Sequence, residues 1–298
     1  MRHGFFKQMI MKQIEERYIS LLTDFGFKRI FGSAPNKDLL ICFLNSLFNG
    51  RQVVKDVKYL NPENVGDIYT DRKAIFDVYC EGENGEKFIV EMQNAYQTYF
   101  KDRALFYSTF PIREQAPKGS EWDFKLNHVY TIALLNFNMN EEAFNKEEIR
   151  HHVQLCDTAT HKIFYDKLEF IYVEIAKFNK SLDELETLYD KWLYALKNLY
   201  KLTQRPKALC DKVFDRLFEE AEIARFTPQE QRNSIDMIEF EIPVTSLGSL
   251  FTDWKSGVEE GSVLEIRLVG ILHFYDELLA VFAFAIYVED GLAVGKNI

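Results

Sequence analysis

The stretch FDVYCEGENGEKFIVEMQ, residues 76–93, has the pattern of a β-hairpin, because two apolar runs flank the turn-forming residues Glu-Asn-Gly. Polar residues interrupt both runs. Asp77 lies in the first predicted strand, and Glu91 and Gln93 end the second. A carboxylate in each of two apolar strands needs a physical explanation, because burying an unpaired charge is costly.

The length of the turn decides whether the two carboxylates meet. Side chains alternate between the faces of a strand, so a two-residue turn of Asn84 and Gly85 would send Asp77 and Glu91 to opposite faces. A three-residue turn that also includes Glu83 places Asp77 directly opposite Glu91. This second geometry favours glycine at the third turn position, where Gly85 stands, and we therefore predict it.

In that register the two acids form a candidate metal site. Two charges roughly 5 Å apart repel by about 3 kcal/mol at an effective dielectric near 20, so the pair needs a cation or a proton. Oxygen ligands suit Mg²⁺ or Mn²⁺, and Gln93 would lie one step along the same face. A solvated sheet face is the simpler alternative. Apolar Tyr79 and Ile89 on that face favour a covered cleft instead.

The elements predicted around the hairpin alternate between helix and strand. Apolar spacing predicts helices over residues 14–31, 36–48 and 98–115, and strands over 53–61 and 128–137. The resulting order is helix, helix, three strands, helix, strand. It indicates an α/β fold in which helices flank a mixed central sheet.

The C-terminal half is predicted to be mainly helical. An acidic helix is expected after Asn140, followed by two short strands at 153–156 and 170–174. Residues 181–201 and 206–226 have the apolar spacing of two amphipathic helices.

Charge is distributed unevenly along the chain. Residues 1–130 hold 18 Lys and Arg against 17 Asp and Glu, so residues 131–298 hold the other 18 and 29. Because phosphate binding relies on Lys and Arg, a polyanion such as DNA should contact the N-terminal half.

Several classes of protein are disfavoured. The four cysteines are dispersed, as in a cytoplasmic protein with reduced thiols. The longest apolar run, residues 278–288, is about half of the roughly 20 residues that a membrane-spanning helix needs. No P-loop, dinucleotide or Gly-x-Ser-x-Gly motif is present. The histidines and cysteine of residues 151–161 have the spacing of no standard zinc site.

Two pairs of residues are further candidates for the site. Asp24 and Lys28 are four residues apart and would share a helix face, either as a surface ion pair or with Lys28 contacting nucleic acid and Asp24 assisting a metal. Arg103 and Tyr107 have the same spacing on the helix that follows the hairpin. They could face the site and bind phosphate, since arginine makes bidentate phosphate contacts.

Four blocks of the sequence together resemble the PD-(D/E)XK nuclease family transposases, relatives of the recombination-promoting nucleases of bacteria. The blocks are TDFGFKRIFG (23–32), KAIFDVYCEG (73–82), FIVEMQ (88–93) and YFKDRALFYSTF (99–110). The resemblance implies a restriction-endonuclease-like αβββαβ core with a mixed central sheet flanked by helices, followed by a mainly helical C-terminal region. It also implies Mg²⁺-dependent hydrolysis of DNA.

The resemblance assigns roles to residues of the hairpin. Asp77 matches the metal-binding acid and Glu91 the second acid, while the backbone carbonyl of Met92 is implied as a third metal ligand. Gln93 stands where the general motif has lysine. Glutamine forms hydrogen bonds but carries no positive charge, so the role of this position differs here.

The sequence therefore predicts three regions and one leading function. Residues 15–140 would form the nuclease core, and residues 141–232 would add further strands and a helical extension. Residues 233–298 would form a divergent tail, which is either a domain end or the product of a shifted reading frame. The predicted function is a cytoplasmic, metal-dependent DNA endonuclease of mobile elements or recombination, acting as a monomer or homo-oligomer. The alternative is an inactive nuclease-fold module that binds DNA or a protein partner.

Overall fold

The computed structural model describes residues 16–60, 76–116 and 122–230, together with four short strands beyond them. By its internal contacts the chain divides into two compact units, Met1–Phe226 and Thr227–Ile298. In the second unit Phe240–Glu241 pairs with Arg267–Leu268, and Ile286–Val288 pairs with Gly291–Ala293. The rest of the predicted tail lies outside the described residues. Within the described part of the chain, no helix has both the length and the apolar character needed to cross a bilayer.

A mixed six-stranded sheet forms the centre of the first unit. Its strands, in chain order, are β1 (Val57–Tyr59), β2 (Val78–Gly82), β3 (Lys87–Gln93), β4 (Val129–Leu135), β5 (Arg150–Cys156) and β6 (Ile163–Glu174). They are arranged β1-β2-β3-β4-β6-β5. The pairs β3-β4 and β4-β6 are parallel, whereas the other three pairs are antiparallel.

Helices cover both faces of this sheet. The α-helices among the described residues are α1 (Asp24–Phe31), α2 (Lys37–Phe48), α3 (Phe100–Glu114), α4 (Leu188–Asn198) and α5 (Lys212–Glu220). Short 3₁₀ helices occur at Ala34–Asn36, Ile175–Lys177, Leu182–Glu184, Leu199–Lys201, Lys207–Leu209 and Ile223–Arg225. The order α2, β1, β2, β3, α3, β4 confirms the predicted αβββαβ core with its flanked mixed sheet.

The two faces of the sheet are buried by different helices. Val90 and Met92 of β3 belong to the large core that also contains side chains of α1, α2, α4 and α5. Ile89 and Tyr79 point to the other face, where they form a smaller cluster with Phe110 of α3. Because residues alternate along β3, Glu91 lies on the face that α3 covers.

The turn of the central hairpin has the predicted three-residue form. The N–H of Gly82 donates to the Glu86 carbonyl at 2.8 Å, which closes the loop of residues 83–85. Gly85 adopts φ +82°, in the left-handed region. Val78 pairs with Val90 and Tyr79 with Ile89, so one further step places Asp77 opposite Glu91.

Replacing Gly85 by alanine should destabilise the protein for two reasons. The left-handed conformation costs a residue with a Cβ roughly 1 kcal/mol. An added Cβ would also lie 2.5 Å from the side-chain nitrogen of the exposed Asn127, so this side chain would have to move aside, which adds a smaller cost. Gly50 has the same φ of +82° with nothing within 4 Å, so Gly50→Ala isolates the conformational cost. Urea denaturation should show the larger loss for Gly85→Ala, and equal losses would contradict the steric part of this prediction.

The predicted helix over residues 14–31 is too long, since α1 begins at Asp24. The preceding described segment is extended and pairs with residues near the end of the first unit. The N–H of Ile19 donates to the Ala221 carbonyl at 2.9 Å, and the N–H of Ile223 donates to the Arg17 carbonyl at 3.0 Å. A partner some two hundred residues away therefore overrides the local helical pattern.

Gly26 permits the close turn that leads into α1. A Cβ at this position would lie 2.0 Å from the Ser20 carbonyl oxygen, so only glycine lets the chain pass over the first helical turn. The Thr23 hydroxyl caps that turn by accepting a hydrogen bond from the Gly26 N–H at 3.1 Å. These two contacts fix where α1 begins.

The prediction of an acidic helix after Asn140 is wrong. Residues 141–149 form turns and loop. Contacts to the sheet hold this segment, because the N–H of Met139 donates to a Glu174 carboxylate oxygen at 2.7 Å and Phe144 stacks on His151 with ring centroids 4.0 Å apart. The two strands that follow are longer than predicted, whereas α4 and α5 lie within the predicted helical segments.

Candidate active site

Asp77 lies in a bend immediately before β2, one residue outside the strand in which it was predicted. The alternation of side chains is broken there, because Phe76 packs against Tyr79 with ring centroids 5.2 Å apart. The Asp77 carboxylate instead accepts a hydrogen bond from the Met92 N–H at 2.8 Å. The Asp77 carboxylate, and not a backbone carbonyl, is thus the hydrogen-bond acceptor for the Met92 N–H of β3.

Glu91 faces Asp77 from the neighbouring strand. Its Oε1 atom accepts a hydrogen bond from the Asp77 N–H at 3.3 Å, and only 6% of the residue is exposed. The Asp77 side chain is 12% exposed. The turn geometry therefore brings together the two acids that the sequence predicted to meet.

The surroundings of both carboxylates disfavour their ionised forms. Burial raises the pKa of Asp77, although the Met92 hydrogen bond and the charge of Lys28 partly offset this effect. Burial also raises the pKa of Glu91, and the negative charge of Asp77 raises it further. Two buried acids that repel each other are stabilised by a bound cation or by a proton.

The oxygen donors of this pair suit a hard divalent cation such as Mg²⁺ or Mn²⁺. Across the described residues, no group of three or more His, Cys, Asp or Glu side chains is arranged to hold a metal ion. The site thus offers two side-chain carboxylates, from Asp77 and Glu91. Mg²⁺ is commonly bound by one or two carboxylates, with water and substrate phosphate completing its shell, so these residues fit the ion.

Helix α1 brings a positive charge to Asp77. Lys28 Nζ lies 2.6 Å from Asp24 Oδ1 and 3.4 Å from Asp77 Oδ1. Burial would lower the pKa of Lys28, but the two carboxylates outweigh it and raise the pKa. The predicted ion pair of Asp24 and Lys28 therefore forms, and it is joined to the carboxylate pair.

Helix α3 places Arg103 beside Glu91, where its positive charge lowers the pKa of that acid. The guanidinium carbon lies 5.2 Å from the Phe100 ring centroid and 5.7 Å from that of Tyr107. Nη1 donates to the Gln97 side-chain oxygen. Nη2 is buried and has no hydrogen-bond partner within the described part of the chain.

Tyr107 also faces the site from α3. Its ring packs edge to face on Phe76 with centroids 5.2 Å apart. Burial raises the pKa of Tyr107, and the charge of Glu91 raises it further. The structure therefore brings Asp24, Lys28, Arg103 and Tyr107 around the two acids.

Gln93 occupies the carboxyl end of β3. It is half-buried and pairs with Leu135 of β4, and its carbonyl accepts a hydrogen bond from the Asn136 N–H at 2.9 Å. Glu91 and Gln93 are two residues apart on one strand, so their side chains share a face.

Sequence reasoning missed Gln97, which holds Arg103. Gln97 lies in the loop between β3 and α3, whose conformation no periodic pattern indicates.

The sequence also did not reveal the partners of the histidines in β5. His151 Nε2 lies 2.9 Å from a Glu174 oxygen, and His152 Nδ1 lies 2.8 Å from a Glu169 oxygen. Carboxylates of β6 thus engage these two histidines.

Comparison with known protein families identifies the family of this chain. A family described as PD-(D/E)XK nuclease family transposase matches residues 21–239, which include the whole carboxylate site. No curated protein and no solved structure matches the chain.

Proposed function

Because the chain belongs to the PD-(D/E)XK nuclease family transposases, we propose that it is a metal-dependent DNA endonuclease acting in the cytoplasm on mobile elements or in recombination. The observation that carries the proposal is the pairing of Asp77 with Glu91 on a covered face of the sheet. Burial raises the pKa of both acids and the charge of Asp77 raises that of Glu91 further, and acids shifted in this way are found preferentially at functional sites. The four cysteines are free thiols, which fits a reducing compartment.

Asp77 and Glu91 would hold Mg²⁺ or Mn²⁺ through their carboxylates, with the Met92 carbonyl as a further oxygen ligand. When bound, such an ion lowers the pKa of a coordinated water and stabilises negative charge on the attacked phosphate. Hydrolysis forms a bond between the water oxygen and phosphorus and breaks the bond to the leaving oxygen. The water loses a proton to solvent, and the leaving oxygen gains one.

The neighbouring side chains would bind and orient the reactants. Gln93 can hold the attacking water by a hydrogen bond, but its amide neither carries charge nor accepts a proton as a base. The Nη2 of Arg103, which has no hydrogen-bond partner among the described residues, is a donor suited to a phosphate oxygen beside Glu91. The Tyr107 hydroxyl, kept protonated by its raised pKa, can donate to the same group.

Nicking of supercoiled plasmid by the purified chain tests this function. Mg²⁺ or Mn²⁺ should support cleavage and EDTA should abolish it. Asp77→Asn keeps an acceptor for the Met92 N–H but removes a metal-binding charge, so we expect a rate loss of at least about 10²-fold. Glu83→Gln, in the exposed turn of the same hairpin, is the control and should cleave normally. Equal nicking by the native chain and Asp77→Asn would refute the assignment.

Gln93 also favours a second candidate function, because the lysine of the general motif is absent from β3. In that case the nuclease fold would serve as a module that binds DNA or a protein partner without cutting. Electrophoretic mobility shifts in EDTA distinguish the two. Salt-sensitive DNA binding that is unchanged by Glu91→Gln, together with no cleavage in either metal, would support the binding module.

A further inference from the structure

The carboxyl end of β3 brings no positive charge to the site, yet a lysine reaches the site from another element. Gln93 ends the strand where the general motif has lysine. Lys28 Nζ, from α1, lies 3.4 Å from Asp77 Oδ1. We propose that Lys28 supplies the positive charge that Gln93 cannot provide, donating a hydrogen bond to the attacking water beside Asp77 and stabilising the charge that develops on it. This inference rests on the proposed nuclease function.

The fold holds Lys28 in this position. Phe27, Ile30 and Phe31 of α1 are fully buried in the main core, which fixes the rotation of the helix about its axis. Lys28 therefore lies on the side of α1 that faces away from the core. The Thr23 cap fixes where the helix starts. The lysine is placed by packing of the helix that carries it and not by its own ion pairs alone.

Asp24 acts as a positioning residue for this lysine. Its carboxylate lies one helical turn before Lys28 and binds Nζ at 2.6 Å, closer than Asp77 does. Asp24 and Lys28 side chains are each 38% exposed, whereas Asp77 is 12% exposed. Asp24 thus keeps the ammonium group beside Asp77 even when the Asp77 carboxylate is engaged elsewhere.

An ordinary surface ion pair does not account for this arrangement. The pair of Lys37 and Asp56 is of that kind, since both side chains are about half exposed and Nζ lies 2.6 Å from a single carboxylate. Lys28 instead joins the partly exposed Asp24 to the buried Asp77, which also lies against the buried Glu91. Lys37→Ala is therefore the matched control for Lys28→Ala.

Steady-state cleavage of a labelled DNA duplex with Mn²⁺ tests the role of Lys28. We expect Lys28→Ala to lower kcat about 10²-fold, the typical effect of removing one charge-stabilising donor, with KM changed less than about 3-fold. Lys28→Arg should keep part of the activity, and Lys37→Ala all of it. Restoring the lysine of the motif should compensate, so the double variant Lys28→Ala/Gln93→Lys should regain at least about 10-fold over Lys28→Ala.

Calorimetric titration with Mn²⁺ supplies a second readout. Lys28→Ala should bind Mn²⁺ at least as tightly as the native chain, because the ammonium group no longer competes for Asp77. Three results would overturn the inference. The first is weaker Mn²⁺ binding by Lys28→Ala in parallel with its loss of activity, and the second is a Lys28→Ala kcat within about 3-fold of native. The third is a double variant Lys28→Ala/Gln93→Lys that is no more active than Lys28→Ala. If the native chain cleaves no DNA, both the proposed function and this inference are refuted. If the native chain and Lys28→Ala are equally active, only the inference is refuted.

Discussion

A Glu91→Gln variant is expected to be more stable than the native chain and yet inactive. Glu91 is 6% exposed, accepts a 3.3 Å hydrogen bond from the Asp77 N–H and is repelled by the Asp77 charge. Glutamine keeps the shape and the acceptor oxygen while removing the charge. We expect a gain of about 1–3 kcal/mol in the free energy of unfolding without metal, and a loss of metal-dependent cleavage of at least about 10²-fold.

The raised pKa of Glu91 also predicts in which direction the stability of the native chain changes with pH. Because the pKa of Glu91 in the folded protein is raised above its ordinary value of 4.5, the folded state binds more protons than the unfolded state above that pH. In EDTA, the free energy of unfolding should therefore fall as pH rises from about 4.5 towards the folded pKa. Glu91→Gln should lack this component.

Urea denaturation in EDTA at several pH values measures the effect, and added Mn²⁺ completes the test. At a hundredfold excess over its dissociation constant, Mn²⁺ should stabilise the native chain by about 2.7 kcal/mol, and Glu91→Gln far less. Glu83→Gln, in the exposed turn, should behave as native in both experiments. A Glu91→Gln variant that is less stable than native, or that still cleaves, would contradict the assignment.

Glu174→Ala is expected to give the largest loss of stability. Glu174 ends β6, is 1% exposed and accepts hydrogen bonds from the Met139 N–H at 2.7 Å and from His151 at 2.9 Å, with Lys177 bound beside them. Removing the carboxylate leaves buried donors without an acceptor, and breaking such a buried pair costs about 3–5 kcal/mol.

The pH dependence of this site has the opposite sign to that of Glu91. Burial alone would raise the pKa of Glu174, but the hydrogen bonds from Lys177, Met139 and His151 outweigh burial and lower the pKa. The stability it provides is present above its ordinary value of 4.5 and is lost as pH falls through the lower folded pKa.

Circular dichroism during urea unfolding at neutral pH and at about pH 4 tests Glu174→Ala, since reference carboxyl pKa values lie near 4. The difference from native should shrink at the lower pH. The exposed Glu142 provides the control, as Glu142→Ala should lose less than about 0.5 kcal/mol. A loss below about 1 kcal/mol for Glu174→Ala would show that the network contributes little to stability.

Features set by neighbouring residues could be predicted from the sequence. The register of the hairpin follows from one glycine, because a three-residue turn with Gly85 in the left-handed region allows one pairing of the strands. That pairing placed Asp77 opposite Glu91 without knowledge of the rest of the sheet. The alternation of helices and strands likewise gave the αβββαβ order, since each element has its own apolar period.

Features set by distant contacts could not be predicted. Residues 17–19 have a helical pattern but pair with residues 221–223, and the segment after Asn140 is held by Glu174 and His151 instead of forming a helix. The approach of Lys28 to Asp77 is of the same kind. It depends on how α1 packs against the core, and spacing along the chain carries no information about that packing.

The pairing of residues 17–19 with 221–223 also bears on how this nuclease-like unit can be joined to other proteins. Arg17, near the start of the described residues, is hydrogen-bonded to Ile223, which lies three residues before the first unit ends at Phe226, so these two segments lie next to each other. Units with adjacent ends can be inserted into loops of other proteins or circularly permuted without disturbing their cores. We therefore expect that sequences attached before Arg17 or after Phe226 can be exchanged while the sheet and its carboxylates stay intact.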